Sequence, residues 1–214
     1  MKHPDTIYHF NKSCYIHDFR PQGSISFGLA AGFLRSGLTK GQQDDEMIRT
    51  AVPDVKTTGV LVGEEIGDAK AIQNVISLRV SLGIRVPYFI KCFSLGYSEK
   101  MYAEVDGDTC IQITDTNVFF QRFEKALLAQ LPGWAALMGE VQYWDFSKVP
   151  DGRNQLDLMF LKDTATYSCQ QEYRIVLLPP ESFVITDSNM RQSIVLGPLM
   201  DVTAEIKNLH EGLE

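Results

Sequence analysis

The chain has 214 residues, 44% of them hydrophobic and 22% charged, a length and balance that suit a globular protein with a sizeable core. Its net charge of −7, with no run of Lys or Arg, gives no strong nucleic-acid signal and argues against an anionic membrane surface as partner. No apolar stretch approaches the roughly 18 residues of a membrane span, and Met-Lys-His-Pro-Asp-Thr at the start has no apolar signal core, so a cytoplasmic protein is expected.

In chain order, residues 6–10 and 15–19 are aromatic and β-branched and predict strands. Residues 24–28 alternate polar and apolar and predict another. The acidic stretch over residues 39–46, with Asp44, Asp45 and Glu46, predicts a solvated loop. A short strand is expected over 60–63 and a longer one over 74–82. The apolar run 86–95 has the composition of a strand buried on both faces, with Ser94 where it emerges. A strand over 109–114 follows. Asp115 or Thr116 then caps the clearest helix, 117–131, whose Phe119, Phe120, Phe123, Leu127 and Leu131 share one broad face before Pro132-Gly133 ends it. Residues 140–144 predict a strand and 150–153 a loop, while the dense apolar run 155–162 suits helix or strand. Strands near 183–186 and 193–196 and a terminal helix over 201–213 complete the pattern. Strands outnumber helices and no βαβ repeat is present, so one α+β domain over residues 1–214 is expected, with mixed or antiparallel sheets.

Cys14, Cys92, Cys110 and Cys169 form no C-x-x-C pair and are expected as free thiols; with only four scattered histidines, no metal cluster is expected either. The chain has no phosphate loop, G-x-G-x-x-G, G-x-S-x-G or H-E-x-x-H. The most informative stretch is residues 162–178. There a polar run carrying Gln170, Glu172 and Arg174 leads into Ile175-Val-Leu-Leu178. In a strand these three polar residues share one side, and a carboxylate entering a core is costly to desolvate unless Arg174 or a ligand pairs with it. That leaves two readings: a structural ion pair or a catalytic glutamate.

The order of pieces is the basis of a resemblance. Ile7-Tyr8-His9-Phe10 is followed by Gly23-Ser-Ile-Ser-Phe27, Asp44-Asp45-Glu46, Ile90-Lys-Cys92-Phe93-Ser94, Val141-Gln-Tyr143, and Lys162 leading to Tyr167-x-x-Gln-x-Glu-Tyr-Arg-Ile175. Over about residues 7–203 this resembles a widespread group of uncharacterised bacterial and phage-associated proteins. The arrangement is similar in turn to the ADP-ribosyltransferase fold. The resemblance implies an early-strand His or Arg, a central serine and a late Gln-x-Glu. It would make Glu172, Gln170 and Ser94 catalytic, and would have His9, Arg20, Tyr167 and Arg174 hold NAD. It also implies an unknown macromolecular acceptor or protein partner, and a toxin or defence role. Two alternatives stand beside it: a catalytically silent binding protein of the same fold, and a nuclease-like hydrolase in which Asp44, Asp45 and Glu46 hold a divalent metal.

Overall fold

The computed structural model describes residues 3–34, 37–39, 42–52, 61–62, 70–71, 79–148 and 153–207. The protein is α+β, built around an eight-stranded sheet in which every pairing is antiparallel. Its strands are β1 (Ile7–Asn11), β2 (Ser24–Leu29), β7 (Phe89–Ser94), β8 (Thr109–Ile113), β9 (Ala135–Glu140), β12 (Glu172–Leu178), β13 (Arg191–Val195) and β14 (Thr203–Lys207). Among the described residues, three two-stranded sheets lie outside it: β3 (Ile48–Ala51) with β6 (Val80–Gly83), β4 (Leu61–Val62) with β5 (Lys70–Ala71), and β10 (Gln142–Trp144) parallel to β11 (Leu161–Asp163).

The large sheet forks at β7. One edge of β7 is paired with β12 from Phe89 to Ser94. The other edge is shared: β2 meets it at Phe89 and Ile90, and β1 at Ser94. Side-chain alternation then divides the core in two. Phe89, Phe93, Tyr173, Ile175 and Leu177 face the helix α4 (Thr116–Gln130) and bury Phe119, Phe120, Phe123 and Leu127 against it. Ile90 and Val176 face the other way, onto Tyr88, Leu158, Met159 and Leu161. The Asp115 side chain accepts from the Val118 N–H at 3.0 Å and caps α4 as its sequence indicates.

Four expectations need correction. Residues 15–19 are not a strand but lie in two short helical turns, α1 (Ser13–Ile16) and α2 (Phe19–Gln22). Ile16 and Phe19 are buried three residues apart while Tyr15 is 74% exposed, a helical spacing hidden within an aromatic run. Gly23 ends α2 at φ +67°, where a Cβ would also strike the Gly197 carbonyl. Residues 201–207 form no helix: Thr203–Lys207 pairs with β8 along its whole length, so tertiary pairing overrides the helix-forming Ala-Glu-Ile-Lys; residues 208–214 lie outside the described residues. Residues 183–186 are irregular, and Phe183 packs edge-on against Phe89 and Trp134 from a loop. The fourth correction, the acidic stretch, belongs to the site below.

Apart from the short helix α3 (Lys100–Glu104), where no element was expected, other elements fall close to expectation. The run 155–162 resolves into the helical turn α5 (Gln155–Leu158), capped by Asn154, and the start of β11. The strand expected over 140–144 is divided between β9 and β10. Of the strand expected over 74–82, β6 is described from Val80, and residues 74–78 lie outside the described residues, as do 150–152 of the expected loop.

Candidate functional site

Glu172 opens β12 and Ser94 closes β7, and the two stand directly opposite in the register. The chain reaches Glu172 through the helical turn α6 (Thr164–Tyr167) and a 3-10 turn, Ser168–Gln170. It then passes Gln171 in the left-handed region at φ 43°. Gln170 therefore belongs to a turn rather than to the strand. It is nevertheless buried beside Glu172, because the left-handed step folds the turn back over the strand end.

Arg174 is fully buried, and its guanidinium organises the site. Nε donates to Glu172 Oε1 at 2.5 Å; Nη1 and Nη2 fork onto the two oxygens of Glu46 at 2.8 and 2.9 Å; Nη1 also donates to the Met159 carbonyl at 2.6 Å. Lys162 Nζ lies 2.9 Å from Glu172 Oε2 and donates to Gln170 Oε1 at 3.1 Å, with Asp44 and Glu46 at 3.9 and 4.0 Å. Arg49 completes the group, 2.7 Å from Glu46 and 3.4 Å from Asp44. Three carboxylates thus balance three cations in one desolvated cluster. Tyr88 donates its hydroxyl to the Glu46 carbonyl, and the Tyr143 hydroxyl accepts from the Glu172 N–H, both at 2.8 Å.

The electrostatics follow from this packing. Burial alone would push Glu172 and Glu46 up. Arg174 and Lys162, joined at Glu46 by Arg49, hold both carboxyls well below the usual carboxylate range. Asp44 goes the other way: burial and the Glu46 charge raise it to about 6, against the pull of Arg49, Lys162 and Arg174. Burial would lower Lys162, but Glu172 and Glu46 raise it, so it stays an ammonium. Its Nζ also sits 4.5 Å over the Tyr167 ring, whose hydroxyl donates to the Gln43 carbonyl.

A cavity of about 110 Å³ opens beside the cluster, with Ser94, Gln170, Lys162 and Glu172 on its polar side and Tyr8, Phe10 and Phe33 among its aromatic lining. The Ser94 hydroxyl lies 2.8 Å from two carbonyls, Gly96 and Gln170, and so ties the end of β7 to the turn before β12.

Of the residues singled out in the sequence, Ser94, Gln170, Glu172 and Arg174 come together, with Tyr167 capping Lys162. His9 and Arg20 do not join them. His9 lies on the opposite face of β1, packed against Phe19 and Phe93, while its neighbours Tyr8 and Phe10 line the cavity. Arg20 lies on α2 and contacts Thr203 and Glu205 at the edge strand β14. The acidic stretch is no solvated loop: Glu46 is 3% exposed and the Asp44 side chain 14%. Asp45 instead caps the turn, accepting from the Met47 and Ile48 amides. Its two neighbours meet Glu172 around a lysine and two arginines, and among the described residues no group of three or more His, Cys, Asp or Glu is placed to hold a metal ion.

Sequence reasoning missed Glu46, Arg49 and Lys162 as members of the site. The signal was there in part. Glu46 and Arg49 stand three apart at the start of β3, and Lys162 heads the same stretch as Glu172.

No protein-family model, curated protein or solved structure matches this chain. Among the described residues, no helix is long and apolar enough to cross a membrane.

Proposed function

We propose that the protein is a binding module whose cavity at the open ends of β7 and β12 takes a small planar polar ligand, with the buried charge cluster serving as its rigid wall. The observation that carries this reading is the state of Glu172. Both its oxygens are already engaged, one by Arg174 at 2.5 Å and the other by Lys162 at 2.9 Å. A carboxylate that stabilises a developing ribosyl cation needs an unspent negative field facing the reacting carbon. Here that field is neutralised by two cations. Aromatic side chains on one side and the Gln170 amide, Lys162 and Ser94 on the other suit a flat ring bearing an amide or carboxylate.

NAD fits this chemistry at one end only. Pockets that enclose a drug-sized ligand hold about 300–1,000 Å³, so 110 Å³ admits a nicotinamide ring but not the whole dinucleotide. A second reading, an ADP-ribosyltransferase-like enzyme using NAD, draws support from Ser94 and Glu172 facing each other at the rim of the cavity. In that reading Glu172 would act once substrate displaced Lys162 from it, and Gln170 would orient the acceptor.

One titration separates the two. The wild-type protein is titrated calorimetrically with NAD, nicotinamide and nicotinate, and nicotinamide release from NAD is followed in the same samples. Saturable binding of the ring compounds without turnover is the expected result. Nicotinamide release by the wild type that vanishes in a Glu172→Gln variant shown to be folded would favour the enzyme reading. Absence of binding by all three would remove the nicotinamide class altogether.

A further inference from the structure

The opposite face of the fork holds a second polar pair that the cavity does not use. Lys91 lies on the stretch of β7 between its contacts with β2, at Ile90, and with β1, at Ser94. Its Nζ is 2.6 Å from His9 Nε2. His9 is 3% exposed, with its ring centroid 5.0 Å from Phe19 and 5.6 Å from Phe93, and its Nδ1 has no hydrogen-bond partner among the described residues. Among the described residues, the titratable groups that act on Lys91 are His9, Arg191 and Cys92, none of them a carboxylate.

The contrast with Lys162 is chemical. Lys162 is ringed by acids and remains an ammonium; Lys91 is desolvated against a histidine and feels a second cation. Burial first, and Arg191 second, bring Lys91 down to about 7, and burial with Lys91 holds His9 well below its ordinary value. A neutral amine at neutral pH is the form that attacks carbonyl carbon. Lys91 is part-buried, at the fork where β2 leaves the edge of β7 and β1 joins it.

We propose that Lys91 is a nucleophilic amine, with His9 as its proton partner, and that the pair takes up small aldehydes as imines. The Nζ lone pair attacks the carbonyl carbon, a C–N bond forms, and the carbonyl π electrons move to oxygen. His9 Nε2 accepts the proton released from nitrogen and returns it to the departing hydroxyl. The oxygen leaves as water with both amine hydrogens, and C=N remains. No oxidant or reductant takes part. His9 Nε2 is the group that lies within reach of the reacting nitrogen, and its imidazole is held in place by the two phenylalanines.

The test uses the full chain and glycolaldehyde, with cyanoborohydride to trap the imine, and reads the labelled lysines by peptide mass spectrometry between about pH 6 and 10. Lys91 should be labelled at pH 7 at least about 10-fold faster than the exposed Lys100 and Lys125, with its own midpoint near pH 7. His9→Gln should slow labelling of Lys91 while leaving Lys100 and Lys125 unchanged. If that variant fails to fold, the wild-type profile alone decides. A Lys91 rate that rises only towards pH 10, in step with the surface lysines, overturns the proposal, and so does a Lys91 that stays unlabelled at every pH.

Discussion

Glu46 bridges two guanidiniums, Arg174 and Arg49, and both are buried with it. Removing its charge would leave Arg174 with Glu172 alone and Arg49 with the more distant Asp44, in a desolvated site one carboxylate short. That is the costly way to break a buried pair, worth about 3–5 kcal/mol. Glu46→Gln should therefore lose stability in that range by urea denaturation, although the amide is nearly isosteric. A loss under about 1 kcal/mol would mean that the guanidiniums find water or other acceptors. The same residue shows why a local reading of sequence fell short. Three adjacent acids resemble a solvated loop, and nothing nearby in the chain announces that Arg174, far along the sequence, needs a second carboxylate. Glu172 with Arg174 was legible because the two stand two residues apart on one strand face. Arg174's partner at Glu46 was not, because it depends on tertiary placement. His9 was misplaced by one residue of strand alternation: Tyr8 and Phe10 face the cavity and His9 faces α4.

At the scale of elements, the entry to β12 rests on one strained residue. Gln171 sits at φ 43°, a region that costs a non-glycine residue about 1–3 kcal/mol unless its surroundings hold it. Two hydrogen bonds to backbone carbonyls do so. The Gln171 carbonyl accepts from the Leu95 N–H at 2.7 Å, and the Ser94 hydroxyl binds the preceding carbonyl of Gln170. Gln171→Val places a β-branched side chain in that conformation. It should lower the melting temperature by the equivalent of about 1–3 kcal/mol and loosen Gln170 at the cavity wall. Unchanged thermal stability would show that the turn can re-form without the left-handed step. Strong periodic elements such as α4, β7 and β8 were legible from pattern alone. The tail strand β14 and the turns α1 and α2 were not, because pairing with β8 and three-residue burial spacing outweighed local propensity.

For the molecule as a whole, the cluster links folding to pH. The carboxyls of Glu46 and Glu172 are lower in the folded protein than their ordinary value of 4.5. The stability they contribute is present above about pH 4.5 and is lost as pH falls through their lower folded values. Asp44, raised from 3.8 to about 6, has the opposite sign: its contribution is full below its ordinary value and fades as pH rises towards 6. The melting temperature should accordingly fall most steeply below about pH 4.5, and Asp44→Asn should leave that fall in place. A melting temperature that stays level from about pH 5 to 3 would show that the buried carboxylates are not held down by their cations.

We read Glu172 as a structural member of a neutralised cluster lining a binding cavity. Thermal unfolding of Glu172→Gln tests it most directly, because the amide preserves shape while removing the charge that pairs Arg174 and Lys162. A strongly destabilised variant is expected, by about 3–5 kcal/mol relative to wild type. A Glu172→Gln protein that melts with the wild type would contradict it.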